Sequence, residues 1–155
     1  MKVSTHILRI PVYRGEVKMD EKIDTLLQSP YWVIDILPEQ VPKNSPGQYF
    51  DIENYFLEGE RFSEIKQKHI NVILKLNCYR KISIAGENTF NPAPQYISDE
   101  MRKRYLYIML DEAMILSEPD DTHLTVFNPD DKLLGLIKAI AAGEGLFVWK
   151  PSVSE

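Results

Sequence analysis

The chain has 155 residues, 44% of them hydrophobic and 26% charged, with 23 acidic against 18 basic side chains and a formal net charge of -5. That length allows one compact unit with a real core, and the composition excludes disordered, collagen-like and low-complexity classes. The acidic balance disfavours nucleic acid, whose binding runs on a positive field, and suits plain solubility or a basic partner.

Residues 3–12 read as a first strand, rich in β-branched and apolar side chains and closed by Pro11 and by Arg14-Gly15. Asp20 occupies the position of a helix N-cap, where a carboxylate accepts orphan amide bonds. Ile23, Leu26 and Leu27 give that helix a short apolar stripe, and Ser29-Pro30 stops it, because proline disfavours helix in the residue before it. Residues 31–37 are almost wholly apolar and predict a central strand covered on both faces. Pro38, Pro42, Pro46 and Gly47 make 38–47 a loop.

A helical stretch follows from Tyr49 to Leu57, broken by Gly59. A longer helix is expected over 61–79. Its apolar face is Phe62, Ile65, His69, Val72, Ile73 and Leu76, with Lys68, Asn71 and Lys75 on the wet side. Residues 81–85 read as a short strand, 86–94 as a loop, and Ser98 as the cap of a charged helix over 99–104. Three strands are then expected as a meander, at 105–110, 113–117 and 122–127. Leu124 and Val126 face one way, and His123, Thr125 and Phe127 the other.

Asn128 reads as an N-cap with Pro129 at the first helical position. Leu133, Leu134, Ile137, Ile140 and Ala141 form the buried stripe of this helix, and Gly143 suits a left-handed closing position. Residues 146–149 complete a strand–helix–strand tail, ended by Pro151. The expectation is a single α+β domain over 1–155: a mixed, mostly antiparallel sheet, about three to four helices and a C-terminal strand–helix–strand unit.

Cys78 is the only thiol, which excludes a disulfide framework and a cysteine-based zinc site. The N-terminal apolar stretch is broken by Ser4, His6 and Arg9, unlike a signal-peptide core. No run approaches about 20 unbroken apolar residues. The longest, Tyr105 to Leu116, is cut by Asp111 and Glu112. The expected setting is cytoplasmic, with no membrane segment.

Gly143-Glu144-Gly145 superficially has the look of a phosphate loop, but its glycines close a helix and precede a strand, the reverse of a dinucleotide fingerprint. Cys78 and His69, nine residues apart on one helix, fall on opposite sides and cannot form a catalytic pair. Asp121 and His123 are the weak candidates for metal ligation. A site would need a third ligand, which only Asp111 or Glu112 could bring through the meander, so a turn is favoured and no metal is expected. His69 reads as a hydrogen-bonded core residue. Arg102-Lys103-Arg104 with Tyr105 and Tyr107 is a short cationic run preceded by Asp99 and Glu100, more a solvated helix end than an RNA contact.

Asp35 interrupts the apolar strand, on the face of Tyr31, Val33 and Leu37. A buried carboxylate costs several kcal/mol unless it is paired or protonated, and such misfits mark functional sites in some proteins. Tyr31, Trp32, Tyr49, Phe50, Tyr55 and Phe56 flank the proline-rich loop; most are expected in the core, with one or two exposed. No Ser-His-Asp arrangement, telling pair of carboxylates or cofactor loop emerges, and no cofactor is implied. The leading expectation is a small acidic module that binds another protein, of the inhibitor or immunity type, neutralising a basic partner. Asp35, Glu39, Tyr49, Asp51, Glu53 and Tyr55 are the candidate contact residues. The alternatives are a small enzyme or ligand-binding domain with a pocket near Asp35 and the 38–47 loop, or a subunit of a homo-oligomeric assembly. Three histidines and one cysteine leave few groups for acid–base work, which favours binding over catalysis.

Overall fold

A computed structural model describes residues 14–152. The elements run α1 (Arg14–Leu27), β1 (Tyr31–Asp35), α2 (Tyr49–Phe56), α3 (Gly59–Asn77), β2 (Ser83–Ile84), α4 (Pro94–Lys103), β3 (Leu106–Leu110), β4 (Ala113–Ser117), β5 (Leu124–Phe127), α5 (Asp131–Gly143) and β6 (Phe147–Trp149). The class is α+β, with five helices where about three to four were expected. The strand expected at 3–12 lies outside the described residues. No described helix is long and apolar enough to cross a membrane.

All six strands join one sheet in the order β2-β3-β4-β5-β1-β6, and every neighbouring pair is antiparallel. The meander β3-β4-β5 is present, and Asp111-Glu112 turns the first pair. β5 and β6 both run antiparallel to β1, which lies between them, so they are parallel to each other. The expected strand–helix–strand tail is therefore a split unit, with α5 carrying the chain past β1.

Strand alternation divides the core in two. Ile34, Leu106, Ile108, Leu110, Ala113, Ile115, Leu124 and Val126 face α3, α4 and α5, meeting Ile70, Ile73, Leu76, Met101 and Ile137. Met109, Met114, Leu116 and Phe127 face the other way, where Ile23 and Leu26 of α1 cover them. The near-continuous apolar run of β1 follows from this two-sided burial.

The helix boundaries correct four expected caps. Arg14-Gly15 already lie in α1 rather than closing a strand, and Asp20 lies inside the helix. α4 opens at Pro94 after Ala93, placing Ser98 mid-helix; proline at the first position loses no bond there. The cap of α5 is Asp130, whose Oδ1 accepts the Leu133 amide at 2.7 Å. Asn128 instead takes a left-handed φ of 59° and donates from Nδ2 to the Glu112 carbonyl. At the far end Gly143 is helical, and the left-handed residue is Gly145, at φ 75°. Leu146 N donates to Ala141 O and Gly145 N to Ala142 O, the paired bonds of a Schellman stop.

These two glycines separate the expected cap from the observed one. A Cβ at Gly143 meets nothing within 4 Å, whereas Gly145 has a backbone that strains any L side chain. Gly143→Ala is expected to stabilise the protein by about 0.5 kcal/mol and Gly145→Ala to destabilise it by about 1–2 kcal/mol. Urea denaturation reads both, and the opposite order would return the stop to Gly143.

Candidate functional site

The connection between β4 and β5, residues 118–123, crosses the end of the sheet beside the exit of β1. Two side chains of α3 hold its backbone. The buried Lys66 ammonium donates to Ser117 Oγ at 3.1 Å and to the Glu118 carbonyl at 2.7 Å. One turn on, His69 Nε2 bonds the Thr122 carbonyl at 3.1 Å. A carbonyl only accepts, so Nε2 carries the proton and Nδ1 is left as a buried acceptor without a partner. Burial, then the Lys66 charge, pushes the His69 imidazole down to about 3, so it stays neutral. It is the core histidine expected. Burial likewise lowers Lys66 to about 8, against the pull of Asp121, Glu118 and Asp120.

Three of the four titratable groups on the held connection, Glu118, Asp121 and His123, interact with one another. Asp121 Oδ1 lies 2.8 Å from His123 Nδ1. Burial alone would raise Asp121, but the hydrogen bonds and charge of His123 outweigh it and hold this carboxyl below its usual range. Burial would lower His123, and Asp121, Asp35 and Glu118 together raise it instead. Burial, followed by the charge of Asp121, lifts Glu118 to about 7. Asp35 lies one step beyond the Ile34–Leu124 pair, across from His123. It is 7% exposed, and its Oδ1 accepts the Ile36 amide at 2.7 Å. Burial is the largest influence on its carboxyl, which is raised despite His123 and these amide bonds. The expected misfit in the apolar strand is thus met by hydrogen bonds and the facing His123, which offset its burial only in part.

A pocket of about 260 Å³, counting its open mouth, lies between these groups and α2. Asp35 and Leu37 wall it at the end of β1, Thr122 on the held connection, and Tyr49, Ile52 and Glu53 on α2. Tyr49 donates its hydroxyl to Glu53 Oε2 at 2.9 Å. Its phenol is raised far above the usual range by burial and by that carboxylate. Asp35, Tyr49 and Glu53, expected as contact residues, therefore meet at one place, with Asp121 and His123 behind them. Asp51 and Tyr55 lie on the outer side of α2, and Glu39 is exposed on the proline-rich loop.

No residue of α2 is buried, although five of its eight side chains are large and apolar or aromatic. Phe50, Ile52 and Tyr55 are 76%, 42% and 52% exposed. The flanking aromatic group was expected mostly in the core, but none of the six is buried: Phe50 and Tyr55 are exposed and the other four half-buried, Tyr31 packing on Phe127 and Trp32 lying beneath Lys150. The segment 35–60 holds six carboxylates, at Asp35, Glu39, Asp51, Glu53, Glu58 and Glu60, against Lys43 alone. Its net charge of -5 equals that of the whole chain, and the remainder balances.

Other candidates separate from this site. Among the described residues, no group of three His, Cys, Asp or Glu side chains could hold a metal, and Asp121 and His123 engage each other. The cationic run is bound by the chain's own polar groups: Arg104 to Glu87 and Glu100, Lys103 to Glu100, and Arg102 to Ser63 and Gln67. Cys78 is exposed at the end of α3. Lys66 and Glu118 were not expected. Lys66 was legible, since it sits four after Phe62 and three before His69 on the buried stripe. Glu118 was not, because its burial depends on how the connection is held against α3. No family model, curated protein or solved structure matches the chain.

The raised Glu118 carboxyl gives a pH test with a definite sign. The fold prefers its protonated form, so its unfavourable contribution is absent below the unfolded value of 4.5, grows as pH rises, and is complete above about 7. Glu118→Gln keeps a neutral donor beside Asp121. Its melting temperature relative to the native protein should rise between pH 5 and pH 8; a difference independent of pH would remove Glu118 from the cluster.

Proposed function

We infer that this chain is a binding module for a basic protein, engaged through the outer face of α2 and the acidic segment around it. One observation carries the reading: a helix with three large apolar side chains in water, inside the segment that holds the chain's whole excess of negative charge. Exposed aromatic groups supply contact area at low entropic cost, and clustered carboxylates steer a cationic partner into place.

A small enzyme or ligand-binding domain draws on a different observation, the meeting of Asp35 with the Asp121–His123 pair beside a pocket. Sites that enclose a metabolite run to about 300–1,000 Å³. The enclosed room in this pocket is only about 20 Å³, which favours the protein-binding reading.

A photo-crosslinking residue in place of Phe50, used in cells of the source organism, is expected to capture a protein of net positive charge. With that partner purified, the association rate should fall about tenfold between roughly 50 and 500 mM salt. Tyr55→Ala should weaken the complex by about 1–2 kcal/mol while the chain stays folded by circular dichroism. An acidic partner, or a rate indifferent to salt, would end this reading.

A further inference from the structure

α2 carries two aromatic pairs built alike. Tyr49 and Phe50 meet edge to face, their centroids 5.4 Å apart at 65°. Tyr55 and Phe56 do the same, at 5.4 Å and 84°. The second pair is completed by a cation of the chain itself. The Arg61 guanidinium lies 3.8 Å over the Tyr55 ring, donates from Nε to the Tyr55 carbonyl at 2.8 Å, and meets Glu58 with its NH2 nitrogen at 3.3 Å. One planar group there uses its face for the ring and its edge for oxygen acceptors.

The first pair has acceptors of the same kind. Glu53 lies against the Tyr49 hydroxyl, Asp51 follows Phe50 in the first turn, and Asp35 shares the pocket walled by Tyr49 and Glu53. The described residues place no arginine or lysine over either ring. Phe50 is the most exposed of the large apolar side chains.

We propose that an arginine of the basic partner completes the Tyr49–Phe50 pair in trans, stacking on its aromatic surface with its edge N–H groups on Glu53, as Arg61 completes the Tyr55–Phe56 pair in cis with its edge on Glu58. This rests on the reading of the chain as a module for a basic protein, and it names the side chain that anchors that partner. Arginine fits better than lysine for a geometric reason. An ammonium cannot lie flat on a ring and turn an N–H edge to a carboxylate at once. The lysine platforms of this chain, Lys81 over Phe90 and Lys150 over Trp32, sit farther out, at 4.5 and 4.9 Å. The charge of the segment supplies the complementarity, since six carboxylates surround the pair in sequence against Lys43.

Nona-arginine and nona-lysine, equal in charge, test the anchor by titration at 150 mM salt, with backbone amide shifts locating the contact. Nona-arginine is expected to bind about tenfold more tightly, with the largest shifts at Tyr49, Phe50, Asp51 and Glu53. Phe50→Leu keeps an apolar side chain, removes the ring, and should erase the arginine preference while leaving nona-lysine binding intact. Phe90→Leu, on the other exposed ring, should leave the preference unchanged. Equal binding of both peptides at α2 would overturn the arginine anchor and leave the basic-partner reading standing. Binding away from α2, or none at lower salt, would overturn both. A preference that survives Phe50→Leu would overturn the anchor alone.

Discussion

The placement of one ammonium group governs the end of this sheet. Lys66 lies on the buried face of α3 with 1% of its surface exposed, and its Nζ binds the Glu118 carbonyl and the Ser117 hydroxyl. A cation taken out of water costs several kcal/mol unless it is well bonded and faces opposite charge. Here Asp121, Glu118 and Asp120 provide that charge. Its hydrogen bonds fix where the β4–β5 connection crosses α3, and His69 fixes the same connection at Thr122. The positions of Asp121 and His123 follow from these two anchors, and so does the wall that Thr122 gives the pocket. Removing the ammonium would strand a carbonyl and leave the acids facing one another.

The acids at this end are not neutralised evenly. Asp121 has His123, while Glu118 and Asp35 are left to hold their protons above the usual carboxylate range. α2 closes the same region from outside and adds Glu53, Asp51 and a row of aromatic groups. A folded chain gains nothing in stability from this concentration. Self-repulsion and exposed apolar area both act against it. Elsewhere the chain balances its charges closely, as at Arg104 with Glu87 and Glu100. The contrast is what supports the proposal that the imbalance serves binding.

The sheet and its long helices were legible because their signals repeat. β1, β3 and β4 show period-two or continuous apolar runs, and α3 and α5 show stripes that several residues define together. Caps were misread because each rests on one or two residues. Asp20, Ser98 and Asn128 are all good cap formers, yet none stands at a helix start. The real starts are set by how far the neighbouring residues can continue the helix and by where the core needs it. The same limit applied to the site. Asp35 stood out as a charge inside an apolar strand, and Tyr49, Glu53 and Tyr55 as acid and aromatic groups beside a loop. Their convergence with Asp121 and His123 depends on β1 pairing with β5, a contact between residues about ninety apart that no local pattern encodes.

A raised carboxyl in the free protein has a consequence for any cation that docks beside it. The Asp35 carboxyl is raised because burial penalises its charged form. A guanidinium on the Tyr49–Phe50 pair would supply the opposite charge that is missing there and draw the carboxyl back down. Linkage then requires the reverse: whatever favours ionised Asp35 favours the docked cation by the same free energy. The electrostatic cost carried by the free fold is therefore recovered on association, and only by a partner that brings positive charge to this end of the sheet. A neutral apolar partner could cover Phe50 and Tyr55, but it would bury Asp35 and Glu53 further and raise that cost. Under the proposed reading, the same carboxylates would reward a basic partner and penalise a merely hydrophobic one, which would keep a small exposed aromatic face selective.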